Sequence, residues 1–399
     1  MGDRTRILLA TSLGHFVNDG FLVLFSILIV YYTRMGVDAT VLGVLAAAIS
    51  LLSGLLSTPI GSSADRRGNY GRLMILGLSL LVASSALYSL SFALPVLALP
   101  LVVISSALLG SGLAFYHQLG AAMLQLEYGD DAPKALGING SLGSLGRALF
   151  PSILVFLIVS LGPSLGLLSV AAYNAVIILA IAAMHRRTRF GPRRIPGTGS
   201  PSADARAPSG IRISAVMPLI TLVFIRSIFF TGVLTYVPTY LVHLYHSDVL
   251  MGVVLTVSYA TAVIGQPLFG RLTSRYGGLP MVILTTVVPT AAFLAFLYVS
   301  NELVSLALFA VYSFFAMSGF PVLLGYVGQI VGRENLSRAN ALVWGVGNMV
   351  GGSIGALIGG PLMSIVGVVY LMWIYAAFGA ISMIFIPSLS RWNANSSGH

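Results

Sequence analysis

The chain has 399 residues, 57% of them hydrophobic and 8% charged, with a mean hydropathy of +0.95 and a formal net charge of +10 at pH 7. So little charge cannot cover the surface of a water-soluble globule, and the composition predicts a polytopic membrane protein. There is no cysteine, which excludes disulfides, thiolate metal sites and thiol catalysis.

Apolar segments long enough to cross a bilayer recur from end to end, separated by short polar breaks. Twelve are expected: 7–32, 39–61, 71–92, 95–126, 136–160, 165–185, 214–243, 248–271, 279–300, 303–329, 336–362 and 367–388. They are apolar on every face, without the alternation that a membrane strand requires, so helices are the expected spanning element. The first segment is too long for a signal-peptide core and lacks a small-residue cleavage pattern, so it reads as a retained helix.

That first segment carries S-L-G-H-F-V-N-D-G from Ser12 to Gly20, with His15, Asn18 and Asp19 at i, i+3 and i+4 on one helical face. Asp19 falls about twelve residues into the span, near mid-depth, where a carboxylate is costly and usually functional. After the second segment comes the polar loop G-S-S-A-D-R-R-G, residues 61–68, followed by Arg72. The fourth segment contains F-Y-H-Q-L-G, which offers His117 and Gln118 as polar lining. The fifth places Arg147 about eleven residues into its span, after Gly140, Gly143 and Gly146 and before Pro151.

From Thr188 to about Ile213 the chain is rich in Arg, Pro, Gly and Ser, the composition of a linker. The expected domains are therefore six-helix bundles at 1–187 and 214–399, joined by a cytoplasmic linker at 188–213. The seventh segment holds Arg226, about twelve residues in, and Tyr236 just before Pro238. The eleventh carries Gly347, Gly351, Gly355 and Gly359 ahead of Pro361, a smooth stripe suited either to sliding or to static close packing. Gln266, Gln329 and Asn348 read as cavity lining or interhelical hydrogen bonds.

The halves echo each other. The loop at 61–68 recurs as G-R-L-T-S-R-Y-G at 270–277, so that Gly68 and Gly277 are 209 residues apart, and Pro151 and Pro361 are 210 apart. A near-constant offset is the signature of internal duplication. All but three of the 21 Lys and Arg fall in the termini or in alternate loops, the exceptions being Arg34, Arg147 and Arg226. This asymmetry predicts that both termini are cytoplasmic. It also accounts for the basic run from His185 to Arg194 without nucleic acid, for which no aromatic or groove-reading context exists.

Gly61, Asp65, Arg66, Gly68 and Arg72 match a G-x-x-x-D-R-x-G-x-x-x-R loop, and together with the 6 + 6 layout the chain resembles the major facilitator superfamily. The resemblance implies two bundles rocking around a central cavity, with Asp65 and its neighbouring arginines holding the cytoplasmic side shut when the cavity faces outward. Ser274 replaces the acid in the second copy, which implies a weaker latch there. H-F-V-N-D, F-Y-H-Q-L-G and I-R-S with T-Y-V-P-T-Y-L look like the fosmidomycin-resistance branch of that superfamily. The fourth segment departs from that branch, with Tyr116 intervening and Gln118 where proline is typical.

Asp19 is the only carboxylate well inside a span, and Arg147 and Arg226 are the only bases there, at matching depth. Arg is permanently charged and its planar fork suits carboxylate, phosphate or phosphonate. The expected substrate site is therefore Arg147, Arg226, His15, Asn18, His117, Gln118 and Tyr236. Proton coupling is expected at Asp19, His15 or His117, with protonation of Asp19 releasing an arginine for the anion. The competing reading makes Asp19 and an arginine a structural ion pair.

Enzyme motifs are missing. G-G-S-I-G at 351–355 matches a hydrolase elbow only formally, because it lies inside a helix. No nucleotide loop or clustered metal ligands occur in the sequence, so neither a metal nor a cofactor is expected. The resulting expectation is a monomeric cell-membrane (plasma or inner membrane) transporter, driven by protons and surrounded by lipid. It would export a small organic anion or anionic amphipathic drug by proton antiport. The alternatives are a proton-coupled importer of a small carboxylate and, in another class, a lipid scramblase or sensor on the same fold.

Overall fold

The computed structural model describes residues 2–186, 213–331, 339–340 and 342–389. The expected linker at 188–213 lies almost wholly outside them. Among the described residues there is no strand: every element is helical. Nine helical runs among the described residues are long and apolar enough to cross a membrane. This is the all-helical solution required where no water is available to satisfy backbone groups.

In chain order the first half comprises α1 (Asp3–Leu22), α2 (Leu24–Arg34), α3 (Ala39–Arg67), α4 (Tyr70–Ala93), α5 (Ala98–Leu113), α6 (Tyr116–Tyr128) and α7 (Ala132–Arg186). The second half comprises α8 (Ile213–Tyr245), α9 (Asp248–Tyr276), α10 (Gly278–Tyr298), α11 (Glu302–Met317) and α12 (Gly319–Ile330). A π-helix over Leu342–Val350 then leads into α13 (Gly351–Met383).

Several expected segments are interrupted. The first divides at Val23 into α1 and α2, the fourth at Ala114–Phe115 into α5 and α6, and the tenth at Ser318 into α11 and α12. The break after Leu113 has a clear physical support. It frees the Ala114 carbonyl, which then accepts from the Ser57 hydroxyl at 3.3 Å and from the Gln118 amide. Side-chain donors of this kind are what make a helix break tolerable at membrane depth.

Two longer helical runs turn back on themselves at glycine. Gly162, inside α7, has φ 80° and ψ 162°, and Gly367, inside α13, has φ 81° and ψ 164°. Side-chain-bearing residues are strained in that region, so glycine is needed for the backbone alone. The two breaks are 205 residues apart with nearly identical dihedrals, a structural trace of the duplication seen in the loops. Gly68 and Gly277 likewise both have positive φ, 64° and 90°.

The described residues form two compact units: 2–186 with Leu241–Thr256, and 213–240 with 257–389. The tip of the α8–α9 hairpin thus groups with the first unit rather than with the rest of 214–399. Its partners explain why. Asp248 is held by a bidentate Arg34, at 2.8 and 2.6 Å, and the Ser152 hydroxyl lies 2.8 Å from that of Thr256. Within the second unit, α8, α9, α10, α12, the π-helix and the segment after α13 share a core that includes Leu219, Val223, Phe269, Val282, Leu323, Val327, Val343 and Leu389.

Both units pack one helix against a glycine face. A Cβ at Gly143 would strike the His15 ring, and one at Gly146 would strike the Phe16 backbone, so α1 lies directly on α7. In the second unit, a Cβ at Gly351 or Gly355 would meet the backbone of α8 at Phe224 or Ile228. Close backbone approach through small residues is the packing mode available to helices in lipid. In the first unit it also brings the polar faces of α1 and α7 into register.

Candidate functional site

The contact of α1 with α7 assembles the main polar cluster. Asp19 is 2% exposed and receives Nη2 of Arg147 on Oδ2 at 2.5 Å. Its Oδ1 accepts from the Asn18 amide at 3.2 Å and lies 3.4 Å from His15 Nε2 and 3.6 Å from His117 Nε2. The i, i+4 spacing on α1 brings His15 to Asp19, and the break before α6 turns His117 toward the same carboxylate and Tyr116 toward the His15 ring. His117 remains half exposed, at 52%, so the cluster has an accessible side. The Asn18 amide also faces His117 Nε2, at 3.4 Å.

Asn139 and Tyr116 complete the cluster, although neither was singled out as a site residue from sequence. Asn139 Oδ1 lies 2.8 Å from His15 Nδ1, and its amide nitrogen donates to the Tyr116 hydroxyl at 2.9 Å. That hydroxyl donates to the Thr11 carbonyl at 2.6 Å. A signal did exist, since Asn139, Gly143 and Arg147 recur every four residues and share one face of α7. A buried amide on that face is costly unless it has partners.

His15, Asp19 and His117 present ligand atoms within 4.8 Å of one another, a spacing that a metal ion could span. The guanidinium of Arg147 on the same carboxylate argues against a dication there, because it would place a fixed positive charge beside the ion.

Arg226 has a different setting, in the second unit. It is 2% exposed, and its Nη1 donates to the Thr286 hydroxyl at 3.2 Å. The guanidinium carbon lies 5.2 Å from the centre of the Phe230 ring, and Nε has no hydrogen-bond partner. No carboxylate pairs with it among the described residues. Phe230 adjoins a set of rings formed by Phe229, Phe293 and Tyr312.

The remaining expected residues have other local partners. The Gln118 amide donates to the Ala114 and Ser57 carbonyls and so braces the α5–α6 break. Tyr236 is fully buried, stacks on Tyr375 and donates to the Ala356 carbonyl at 2.7 Å, fastening α8 to α13. In the 61–72 loop, Asp65 accepts from the Tyr70 hydroxyl at 2.8 Å, Gly68 caps α3 in the left-handed region, and Arg66 and Arg72 are exposed. Gly61 stands near the Gln118 side chain. Gln266 faces the Met317 carbonyl, Gln329 accepts from the Gly278 backbone, and Asn348 accepts from Ser227.

The sequence profile of the Major Facilitator Superfamily matches residues 8–255 and 243–397. The chain belongs to the major facilitator superfamily. This superfamily member is therefore a multi-pass membrane transporter by fold and not an enzyme, and such transporters carry small substrates. No curated protein matches it. Among solved structures, it is similar to a bacterial homologue of the human lysosomal transporter Spinster in an inward-facing, unoccupied conformation. That comparison has a TM-score of 0.78 at 15% identity, over 98% of each chain. It is also similar to a D-xylose–proton symporter, with a TM-score of 0.72 at 17% identity over 96% of this chain and 97% of the other. A third is a POT family transporter in complex with 5-aminolevulinic acid, with a TM-score of 0.75 at 13% identity over 97% and 96%. At these identities the likeness is one of fold.

Proposed function

We propose that this chain is a proton-coupled secondary transporter that exports a small organic anion, or an anionic amphipathic drug, by proton antiport. The observation that carries the reading is the contrast between the two buried arginines. Arg147 is neutralised by Asp19, whereas Arg226 is a permanent cation with a hydroxyl and an aromatic face but no described carboxylate. A buried charge without a counterion is expensive, so a site of this kind favours an anion. The aromatic neighbourhood of Phe230 suits an anion with an apolar body.

The coupling follows from competition. With Asp19 ionised, Arg147 is occupied; a proton on Asp19 releases Arg147 for the substrate anion, so this step loads proton and anion together. Export by antiport instead requires that the anion, held at Arg226, travel with Asp19 ionised and that the proton return without it. His15, Asn18 and His117 border the same carboxylate, and Gln118 and Tyr236 act through helix positions rather than direct contact. Twelve spans follow by dividing the run Pro95–Arg186 at Gly129 and Gly162, and the run Leu342–Leu389 at Gly367. With cytoplasmic termini in a plasma or inner membrane, Asp65, Arg66 and Arg72 belong to the inner gate. The active unit is a monomer with domains at 1–187 and 214–399. Loading proton and anion together supports the second reading, import of a small carboxylate by proton symport, which orientation-controlled flux would separate from antiport.

The test is a panel of aromatic and aliphatic monocarboxylates, benzoate and lactate among them, offered to proteoliposomes under an imposed pH gradient. Accumulation of at least one anion is expected, with its binding lost in Arg226→Ala and its gradient dependence lost in Asp19→Asn. If no anion moves with the gradient, or binding survives Arg226→Ala, the reading is wrong.

A further inference from the structure

The hydrogen bonds behind His15 have a fixed direction that begins at a backbone carbonyl. A carbonyl can only accept, so the Tyr116 hydroxyl must spend its single proton on Thr11, at 2.6 Å. Tyr116 can then only accept from Asn139, which places the amide nitrogen, at 2.9 Å, toward Tyr116. Asn139 Oδ1 lies 3.2 Å from the same hydroxyl, and reversing the amide would bring that oxygen to 2.9 Å and leave the donating nitrogen at the longer distance. Asn139 Oδ1 is therefore the atom turned to His15, and at 2.8 Å it requires a donor, so His15 Nδ1 carries a proton.

The consequence lies on the other side of the ring. A neutral His15 with its proton on Nδ1 leaves Nε2 bare, 3.4 Å from Asp19 Oδ1. That oxygen already accepts from Asn18, and the second carboxylate oxygen is taken by Arg147. Two acceptors facing each other in a buried site repel unless one proton lies between them. The charged and titratable groups around the pair are Asp19 on α1, Tyr116 and His117 on α6, and Arg147 on α7.

We propose that Thr11, Tyr116 and Asn139 form a polarised chain that holds His15 as an Nδ1 donor, so that one exchangeable proton is shared between His15 Nε2 and Asp19 Oδ1. Asn139 and Tyr116 are positioning residues and act through His15. The proposal rests on the proton-coupled reading and gives it a defined step. With the proton on Nε2, His15 is an imidazolium and Asp19 a carboxylate bound to Arg147. Transfer of that proton to Oδ1 leaves neutral imidazole and a carboxylic acid, and the Arg147 guanidinium loses its anion. No other atom is gained or lost. The same chain explains why Gly143 faces the His15 ring: a Cβ there would displace it from both partners.

The experiment is nitrogen NMR on full-length protein labelled with 15N-histidine and held in lipid nanodiscs, with the His15 signals assigned by their loss in His15→Gln. In the wild type, neutral His15 is expected as the Nδ1–H tautomer, and the chemical shift of its Nε2 signal should change in Asp19→Asn. Tyr116→Phe frees the Asn139 amide to reverse and should bring the Nε2–H tautomer into the spectrum, while Asn139→Asp should retain Nδ1–H. A wild-type Nε2–H tautomer, an unchanged Nε2 signal in Asp19→Asn, or an unchanged tautomer in Tyr116→Phe each overturns the proposal. Should the tautomer and the Nε2 response to Asp19→Asn appear while no pH gradient drives flux, the transport reading fails and the shared proton stands.

Discussion

Asp19 shows what a single residue type can and cannot announce. A lone mid-span carboxylate is expensive wherever it sits, and its cost here is met by four donors or potential donors from three helices: Asn18, His15, His117 and Arg147. Removing one partner of such a pair leaves the other buried without a counterion. Arg147→Ala should therefore destabilise the protein by about 3–5 kcal/mol, whereas pairing it with Asp19→Asn should recover most of that loss. Thermal unfolding of the single and double variants in detergent is the measurement, and equal losses in the two would remove the ion pair from the account. Asp19, His15, His117 and Arg147 were legible in the sequence because charge and imidazole stand out in apolar surroundings. Asn139 and Tyr116 were not singled out, because their part depends on which atom each turns toward a neighbour on another helix.

At the scale of helices, the α1–α7 contact does the assembling. Its closeness depends on Gly146 facing the Phe16 backbone, where a methyl group has no room to fit. Gly146→Ala is expected to cost about 1–3 kcal/mol through overpacking, and it should also separate Arg147 from Asp19. Gly137, on the same helix with no atom near its missing side chain, supplies the control: Gly137→Ala should be neutral or slightly stabilising. The contact argument fails if the two substitutions lower the melting temperature equally. The expected continuous first, fourth and tenth segments proved divided, at Val23, Ala114–Phe115 and Ser318. Hydropathy averages over a window and is blind to where the hydrogen-bond ladder is interrupted. Only the partners of the freed carbonyls, such as Ser57 and Gln118 at Ala114, reveal it.

At the scale of the whole molecule, Leu241–Thr256 groups with the first unit, so α8 and α9 each divide between the two units. Arg34, the one base outside the positive-inside pattern and the two buried sites, is the residue that holds this hairpin tip, through Asp248. An ion pair this exposed contributes at most about 1 kcal/mol to stability, so Arg34→Ala should leave the melting temperature nearly unchanged. It should still loosen the tip. Because the chain has no native cysteine, Ser152→Cys can be labelled alone with a membrane-impermeant maleimide. Labelling should accelerate in Arg34→Ala and slow again when the charges are exchanged as Arg34→Asp with Asp248→Arg. A rate indifferent to all three backgrounds would show that the pair holds nothing.

By itself the sequence determined that the chain is a helical membrane protein, that its two halves echo each other in loop and proline spacing, and that it carries the superfamily's loop. All three are written in composition, periodicity and one-dimensional spacing, which need no knowledge of neighbours. It also determined which residues were too polar to be idle. The tertiary structure decided their pairing. Arg147 and Arg226, alike in depth and chemistry, became a neutralised partner of Asp19 in one case and a cation without a described carboxylate in the other. Hydropathy fixes how deep a side chain lies, whereas the charge it meets depends on how closely glycine faces let two helices approach and on which way each hydrogen bond points.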